Sequence, residues 1–431
     1  MKIKLLLLGL LLVFLCNHGE LHSQNSPTES PILTVKKLPK DTPESVGMSS
    51  ERLMQMNKVM HQYVDNGQLA GIQTAVMRKG KVINFDTYGY ADLESNTPLQ
   101  SDAIFRIYSM TKPIVSVALM MLYEQGKFQL NDLLEKYIPE FENLRVHKGN
   151  RVIEPATKKI RIIDILRHTS GIGYGWGTGF VDSLYRASNR ASFKTNKDLI
   201  EGLSKLPLYF EPGTKWKYSL STDVCGYLVE VLSGQPLDKF LEENIFEPLG
   251  MTDTHFEIPD EKDERFVSNY RKNRKGELRV LDHPSTSRYT KEVTMFSGGG
   301  GLVSTMDDYL RFSQMLLNKG QLDGKRFLSP KTIELMTIDH TKHTPYNGVG
   351  IQLPGNGFSF GLGFSVATDL ADTGNLGSVG NFGWGGAAGT FFSIDPKEEL
   401  IMIMMIQLMP YSHLKVRSYF QTMVYQAIVN D

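Results

Sequence analysis

The stretch Ser109-Met110-Thr111-Lys112-Pro113 places a hydroxyl and an amine three residues apart at a predicted helix start. Pro113 indicates the start, because proline costs about 3 kcal/mol in a helix interior but is tolerated in the first turn. Apolar residues then recur at helical spacing, and Gly126 is placed to end the helix. We therefore expect a buried helix with Ser109 at its N-cap or first turn and Lys112 on the same face. Such a pair can make a serine nucleophilic without a histidine.

Alone, this S-x-x-K pattern is weak evidence for chemistry, because it is short and its residues are common. A helix-capping serine followed by a solvated lysine is the more frequent explanation. A second candidate, Tyr218-Ser219-Leu220, follows the turn-like Glu211-Pro212-Gly213-Thr214 and precedes a helix predicted near Thr222. A tyrosine at such a junction can present its phenol to a cleft, although a half-buried, hydrogen-bonded tyrosine is the commoner case.

A glycine-rich run, Gly383-Trp384-Gly385-Gly386-Ala387-Ala388-Gly389, is predicted to lead straight into a strand over Thr390 to Ile394. Glycines weaken a strand unless another backbone or a ligand must approach closely. An oxyanion hole is one such need, since its N–H groups must lie about 3 Å from the substrate oxygen. A second run, Ser297-Gly298-Gly299-Gly300-Gly301, lacks the ending of a phosphate loop. We interpret it as a turn that passes close to the cleft.

Strand-like segments lie at both ends of the chain, and mostly helical patterns lie between them. The elements predicted near the ends are a helix from Ser49, a hairpin of Ile72 to Met77 and Val82 to Tyr88, strands over Phe391 to Ile394 and Leu400 to Ile406, and a helix over Ser418 to Val429. This order predicts an α+β fold in which an antiparallel sheet is flanked by the terminal helices. A helical lobe over roughly 112–330 is expected as an insertion.

The N-terminus is typical of a secretory signal peptide, because two lysines precede an apolar run from Leu5 to Leu15. We expect removal of residues 1–23 and export across the inner membrane, to the periplasm. A lipid anchor at Cys16 is the weaker alternative, because a leucine precedes it where a small residue is expected. Residues 24–47 are predicted to form a leader to a domain over 48–431.

Composition narrows the classes of partner. The 431-residue chain carries 47 basic and 47 acidic residues, so its charge does not favour a nucleic-acid partner. After the first apolar run no segment has the roughly 20 apolar residues of a membrane span, so we expect no transmembrane segment. Once Cys16 is removed, Cys225 has no partner for an intramolecular disulfide. His168, His340 and His343 lack companions at metal-ligand spacing, so we expect no metal and no cofactor. The sequence leaves the oligomeric state open.

Together, the motifs resemble the serine β-lactamase and penicillin-binding-protein superfamily, and most closely its class C-like branch of serine esterases. In that family S-x-x-K is followed by Y-x-N or Y-S-x, and then by a strand with K-T-G, H-x-G or W-G-G. Here Ser109-Met110-Thr111-Lys112, Tyr218-Ser219-Leu220 and Trp384-Gly385-Gly386 fill those places in order. The resemblance extends over about 48–431 and implies a β-lactamase/transpeptidase-like fold.

The resemblance also implies roles for these residues. Ser109 is the implied nucleophile of an acyl-enzyme mechanism, in which water hydrolyses the intermediate. Lys112 and Tyr218 are implied to share the proton transfers, and which of them takes the serine proton stays open. The N–H groups of Ser109 and of Ala387, which follows Gly386, are the implied oxyanion donors.

Two positions depart from the β-lactamases of this branch and bear on the substrate. Leu220 stands where those enzymes usually carry an asparagine, whose amide binds the acylamino side chain of a β-lactam, and leucine makes no such bond. Trp384 stands where they usually carry a lysine, so the cation for the β-lactam carboxylate is missing. Both changes replace a polar anchor by an apolar wall. The sequence therefore favours a small-molecule substrate of the short-chain carboxylic ester class.

Two alternatives stay open. The first is a β-lactamase or a D-amino-acid-specific peptidase or amidase, since the resembling family also contains these enzymes. The second, from another functional class, is a penicillin-binding sensor that is acylated once and does not turn over. Sustained turnover distinguishes an enzyme from a sensor.

Overall fold

Both ends of the chain contribute strands to one eight-stranded sheet, in which every neighbouring pair is antiparallel. The computed structural model describes residues 36–188, 192–344 and 356–430. In chain order the strands are β1 (Gly71–Arg78), β2 (Lys81–Asp92), β3 (Thr97–Pro98), β4 (Phe105–Arg106), β5 (Arg145–His147), β6 (Ile153–Pro155), β7 (Asn269–Lys272), β8 (Leu278–Asp282), β9 (Val303–Ser304), β10 (Gln321–Leu322), β11 (Lys325–Arg326), β12 (Phe358–Phe360), β13 (Ser365–Ala367), β14 (Phe382–Gly385), β15 (Phe391–Asp395) and β16 (Leu400–Met405). The spatial order of the large sheet is β12-β13-β14-β15-β16-β1-β2-β3, so the last strand of the chain pairs with the first.

Most of the helices come from the middle of the chain. The α-helices of the described residues are α1 (Ser50–Asp65), α2 (Thr111–Glu124), α3 (Ile162–Leu166), α4 (Phe180–Ala187), α5 (Asn196–Ser204), α6 (Ser221–Ser233), α7 (Leu237–Leu241), α8 (Glu247–Leu249), α9 (Met306–Leu317), α10 (Pro330–Met336), α11 (Leu370–Thr373) and α12 (Val416–Tyr425). Helices α2 to α10 all lie between strands β3 and β12 in the sequence. The expected α+β fold, an antiparallel sheet with helices inserted between its two halves, is confirmed.

Strand β16 explains how one sheet supports two cores. All six of its residues are buried, although successive side chains of a strand point to opposite faces. Leu400, Met402 and Met404 pack with the terminal helices, whereas Ile401 and Ile403 pack with the inserted helices. A strand covered on both faces therefore appears in the sequence as an uninterrupted apolar run. Its methionines belong to these two buried clusters.

The terminal helices α1 and α12 cover one face of the sheet together. Apolar side chains of both helices, such as Met56 and Phe420, belong to the same buried cluster. The C-terminal helix ends at Tyr425, earlier than the predicted Val429. The reason is a competing partner, because Ser49 N donates to Ala427 O at 2.8 Å and Val429 N donates to Gly47 O at 3.0 Å. The last residues thus pair with the segment that precedes α1.

The predicted signal peptide, residues 1–23, and Cys16 lie outside the described residues, as does the first half of the predicted leader. Its later residues contact the domain: Val82 N donates to Pro39 O at 2.8 Å, and Val46 is buried. No helix in the part of the chain that the structure describes is long and apolar enough to cross a membrane.

Asp308, in the first turn of α9, makes the stability of the fold depend on pH. Its carboxylate accepts hydrogen bonds from Asp253 N and Thr254 Oγ1, both at 2.8 Å, yet burial raises its pKa to about 7. The unfolded chain releases this proton near pH 4. Between about pH 4 and pH 7 the unfolded state therefore binds fewer protons, and the contribution of Asp308 to the free energy of unfolding falls as pH rises.

We predict that Asp308→Asn removes this contribution. Because an amide does not ionise, the melting temperature of the variant, relative to that of the wild-type protein, should rise between pH 4.5 and pH 7.5. Thermal melts followed by circular dichroism across this range test the prediction. A constant difference between the two proteins at every pH would contradict it.

Candidate active site

Ser109 lies in a short 3₁₀ turn, Tyr108–Met110, that leads directly into α2. The helix has Met110 as its N-cap, so Ser109 precedes the helix instead of occupying its cap or first turn as expected. Tyr108 explains the offset, because it adopts the left-handed conformation, φ 43°, and redirects the chain before the helix can begin. Its hydroxyl accepts a hydrogen bond from Asn269 at 3.0 Å, and burial raises the pKa of Tyr108 to about 12. The turn leaves Ser109 half-buried beside the start of α2.

Lys112 is fully buried, and its ammonium group faces Ser109. Nζ lies 3.3 Å from Ser109 Oγ and 3.0 Å from the hydroxyl oxygen of Tyr174, and it also donates to the carbonyl of Gly299. The same nitrogen lies 4.7 Å from the centroid of the Tyr218 ring, a cation–π distance. The spacing of three residues thus brings the hydroxyl and the amine together, as the sequence predicts.

The loop over 297–301 carries the carbonyl that binds Lys112. It passes so close to α6 that a Cβ atom on Gly298 would lie 2.6 Å from the carbonyl oxygen of Thr222, so only glycine fits. Asp223 holds the loop in place, because its Oδ1 accepts from Ser297 Oγ at 2.5 Å and from Gly299 N at 3.1 Å. The interpretation of this run as a turn close to the cleft is confirmed. Its contact with Lys112 was not predicted from the sequence.

Tyr218 lies just before α6, at the predicted junction of loop and helix. Its hydroxyl accepts a hydrogen bond from Trp384 Nε1 at 3.2 Å, while its contact with Lys112 is made by the ring face. Behind it, His168 packs edge-on at 4.9 Å between ring centroids and lies 3.0 Å from Ser219 Oγ through Nδ1. Burial, with the charge of Lys112, lowers the pKa of His168 well below its usual value. His168 therefore stays neutral and supports the ring of Tyr218.

Tyr174 is a site residue that the sequence analysis missed. Its hydroxyl accepts a hydrogen bond from Lys112, and its ring stacks on Trp176 with centroids 4.0 Å apart and planes 2° apart. Both aromatic residues belong to the segment 171–179, in which every second residue is glycine. The sequence signal for Tyr174 was the alternation of aromatic residues with glycine directly after Thr169-Ser170-Gly171.

All three tryptophans of the chain surround Tyr218. The ring centroid of Tyr218 lies 6.1 Å from that of Trp176, 6.3 Å from that of Trp216 and 5.3 Å from that of Trp384. Phe360 closes the group, 5.1 Å from Trp384. One wall of the site is therefore aromatic.

The glycine-rich run that contains Trp384 leads into strand β15, close to the predicted strand over Thr390 to Ile394, but it is not itself one continuous strand. It ends strand β14, which carries Trp384, and turns over 386–389 into the separate strand β15. Gly386 N donates to Thr390 O at 2.8 Å and closes the turn. A hairpin turn and a close backbone approach both favour small residues, so the sequence alone does not distinguish them here.

This turn packs against the backbone just before Ser109. A Cβ atom on Gly386 would lie 2.5 Å from the carbonyl oxygen of Ile107, so the close approach requires glycine. Ala387, at the tip of the turn, is exposed, and its N–H donates to no backbone carbonyl of the described residues. The structure thus presents an available N–H group on the chain segment that packs beside Ser109.

Leu220 is the N-cap residue of α6 and is buried. It lines a cavity of about 520 Å³. The other apolar residues that line the cavity are Phe193, Leu199, Phe256, Val293 and Met295. Its polar lining residues are Asp223, Arg288, Glu292 and Ser297. Because Asp223 and Ser297 are among them, the cavity adjoins the loop that binds Lys112.

The described part of the chain contains no cluster of side chains suited to a metal ion, and one of the three histidines considered above binds a backbone carbonyl instead. His340 Nε2 lies 2.7 Å from the carbonyl oxygen of Leu335. Within 36–188, 192–344 and 356–430, no group of three or more histidine, cysteine, aspartate or glutamate side chains could hold a metal ion.

The family model described as Beta-lactamase matches residues 56–421. An uncharacterized protein of Mycobacterium tuberculosis is 36% identical over 361 residues, which cover 80% of this chain and 88% of that protein. Esterase EstB of Burkholderia gladioli is 30% identical over 361 residues, which cover 79% of this chain and 86% of EstB. Among solved structures, EstCE1, a hydrolase with promiscuous acyltransferase activity, matches with a TM-score of 0.75 at 24% identity, covering 87% of this chain and 99% of that one.

A serine and a buried lysine at the start of α2, beside an antiparallel sheet with inserted helices, define a serine hydrolase of the β-lactamase and transpeptidase class. The chain belongs to the beta-lactamase family. The resemblance inferred from the three motifs, including its esterase branch, is confirmed.

We predict that Lys112 loses its orientation when either of its anchors is removed. Tyr174→Phe removes one hydroxyl acceptor, and Asp223→Ala releases the loop that carries the Gly299 carbonyl. Because a displacement of 1 Å at a reacting group can lower a rate about a hundredfold, kcat should fall by about 10- to 100-fold in each variant.

Steady-state kinetics on a p-nitrophenyl ester test this prediction, with thermal melts to verify folding. Asp223→Asn is the matched control, because its amide oxygen still accepts the two hydrogen bonds, and it should lose less activity than Asp223→Ala. Folded Tyr174→Phe and Asp223→Ala proteins with wild-type kcat would refute the role of these anchors.

Proposed function

We propose that this protein is a secreted esterase that hydrolyses short-chain carboxylic esters through an acyl-enzyme on Ser109. The observation that carries the proposal is the position of Lys112 Nζ, 3.3 Å from Ser109 Oγ inside a buried site. Ser109 Oγ attacks the ester carbonyl carbon and loses its proton, the alcohol leaves with a proton, and a water molecule then hydrolyses the acyl-enzyme.

Lys112 and Tyr218 share the proton transfers in this proposal. Lys112 Nζ lies within hydrogen-bonding distance of the Ser109 hydroxyl. An ammonium group has no lone pair, so Lys112 takes the serine proton as the neutral amine and, once charged, passes it to the departing alcohol. Tyr218, whose hydroxyl accepts a hydrogen bond from Trp384 and whose ring face contacts Lys112, assists these transfers. Tyr174 orients Lys112 through its hydroxyl.

The oxyanion of the tetrahedral intermediate is assigned to two backbone N–H groups, those of Ser109 and Ala387. The support for Ala387 is its position on an exposed turn that packs beside Ser109, with its N–H not used by a backbone carbonyl of the described residues. Gly386 makes this approach sterically feasible. Preorganised N–H donors of this kind stabilise the charge that develops on the carbonyl oxygen.

An ester is favoured over a β-lactam by the apolar character of two positions. Trp384 is buried and directs its indole N–H to Tyr218, and Leu220 contributes a buried apolar side chain to a cavity that charged residues also line. Neither side chain pairs with a carboxylate or an acylamino group. The family relative EstB is named an esterase, which supports the same substrate class.

Secretion is the second part of the proposal and is supported by the sequence of residues 1–23. Two lysines followed by an apolar run are typical of a signal peptide. Expressed in a Gram-negative host, the protein should be recovered from the periplasm with residue 24 as its first residue. Intact mass measurement of the recovered protein tests this, and a mass that retains residues 1–23, or a lipid on Cys16, would contradict it.

We predict sustained hydrolysis of p-nitrophenyl acetate and butyrate, with much slower turnover of nitrocefin and of D-alanyl-D-alanine peptides. Ser109→Ala should lower ester turnover on the order of a thousandfold or more, because the covalent route is lost. Progress curves for the release of p-nitrophenol, the opening of nitrocefin and the release of D-alanine, together with mass spectrometry of the acylated protein, provide the readout.

Each alternative function has its own result in that experiment. Faster turnover of nitrocefin or of the D-alanyl peptide than of any ester would indicate a β-lactamase or a D-amino-acid-specific peptidase or amidase. Release of one equivalent of product per protein, with no steady state, would indicate a penicillin-binding sensor that is acylated once. Ester hydrolysis that survives in Ser109→Ala would disprove the mechanism.

A further inference from the structure

Trp176 differs from the other two tryptophans of the chain in its exposure. It exposes 71% of its surface, whereas Trp216 exposes 2% and Trp384 exposes 6%. A tryptophan is among the most apolar side chains, and it dominates binding energetics where it occurs in protein interfaces. Its position at the mouth of the candidate active site therefore requires an explanation beyond packing.

The indole of Trp176 has one face covered and the other open. The ring of Tyr174 lies parallel to it, with centroids 4.0 Å apart and planes 2° apart, and so covers a single face. The large exposed fraction then belongs mainly to the opposite face. The hydroxyl of Tyr174 binds Lys112, so Trp176 contacts a residue that itself contacts the lysine of the site, and its open face is the one turned away from Tyr174.

The loop that carries Trp176 is held in shape by its own hydrogen bonds. Asp182 accepts from Gly177 N at 2.9 Å and from Gly179 N at 3.2 Å, and Arg186 donates to the carbonyl of Gly175 at 2.8 Å. These bonds lie on both sides of Trp176 in the sequence. The open face is consequently preformed, and a ligand that stacks on it has little loop ordering to overcome.

We propose that Trp176 is a specificity-determining residue whose open indole face stacks on an aromatic ring of the ester substrate. This inference rests on the proposed esterase function and names the kind of ester that the site prefers. A flat ring meets the whole indole face, whereas a saturated ring of similar size is puckered and meets only part of it. Stacked aromatic pairs contribute beyond their buried area, which sets the size of the expected preference.

The aromatic ring can belong to the acyl or to the alcohol half of the ester, and two matched pairs of substrates distinguish them. Benzyl acetate and cyclohexylmethyl acetate differ only in the ring of the alcohol. Ethyl phenylacetate and ethyl cyclohexylacetate differ only in the ring of the acyl group. Within each pair the reactivity of the ester bond is similar, so the ratio of kcat/KM values reports the binding of the ring.

We expect the wild-type protein to prefer the aromatic member of one pair, and Trp176→Leu to reduce that preference by about 2- to 12-fold. The pair that responds identifies which half of the ester carries the ring. Trp176→Phe should keep most of the preference, because it keeps a flat ring. Tyr419→Ala is the matched control, since Tyr419 is also an exposed aromatic residue, at 50%, but lies on α12.

The outcomes separate this inference from the proposed function. Ratios that change in Trp176→Leu but not in Trp176→Phe or Tyr419→Ala support the stacking role. Ester turnover with ratios that stay unchanged in Trp176→Leu, or that change equally in Tyr419→Ala, overturns the stacking role alone. No turnover of any ester by the wild-type protein overturns the proposed function and this inference with it.

Discussion

The burial of the Lys112 ammonium group is the constraint on which the site depends. A charge removed from water is costly unless hydrogen bonds replace its hydration. Here the carbonyl of Gly299, the hydroxyls of Ser109 and Tyr174 and the ring face of Tyr218 do so. These groups come from four separate segments of the chain. The contacts that make the buried amine tolerable are therefore the same contacts that aim it at Ser109.

The antiparallel sheet makes a site from segments that are distant in the sequence. Because β16 pairs with β1, the C-terminal strands continue the sheet that the N-terminal hairpin begins. The turn after β14 then reaches the backbone beside Ile107, just before α2. The pairing of the strands thus brings residues near position 387 next to residues near position 109, although the two positions are far apart in the sequence.

Sequence patterns predicted the fold and some of the neighbours in the candidate site, but not the other contacts between side chains. The S-x-x-K spacing predicted the approach of Lys112 to Ser109, and strands at both ends predicted the sheet. Glycine patterns were ambiguous, because a turn and a close backbone approach both favour glycine. The turn inside the run around Trp384 was therefore not predicted. Tyr174 was not predicted as a site residue, because its hydrogen-bond partner, Lys112, lies in another segment of the chain. Tertiary packing decides which side chains from distant segments form hydrogen bonds.

The grouping of three tryptophans around Tyr218 has a consequence for observing this protein. Since Trp176, Trp216 and Trp384 are the only tryptophans in the chain, its near-ultraviolet emission originates almost wholly from one wall of the cleft. The molecule therefore carries a built-in optical reporter. Intrinsic fluorescence will follow events at this wall with little background from the rest of the fold.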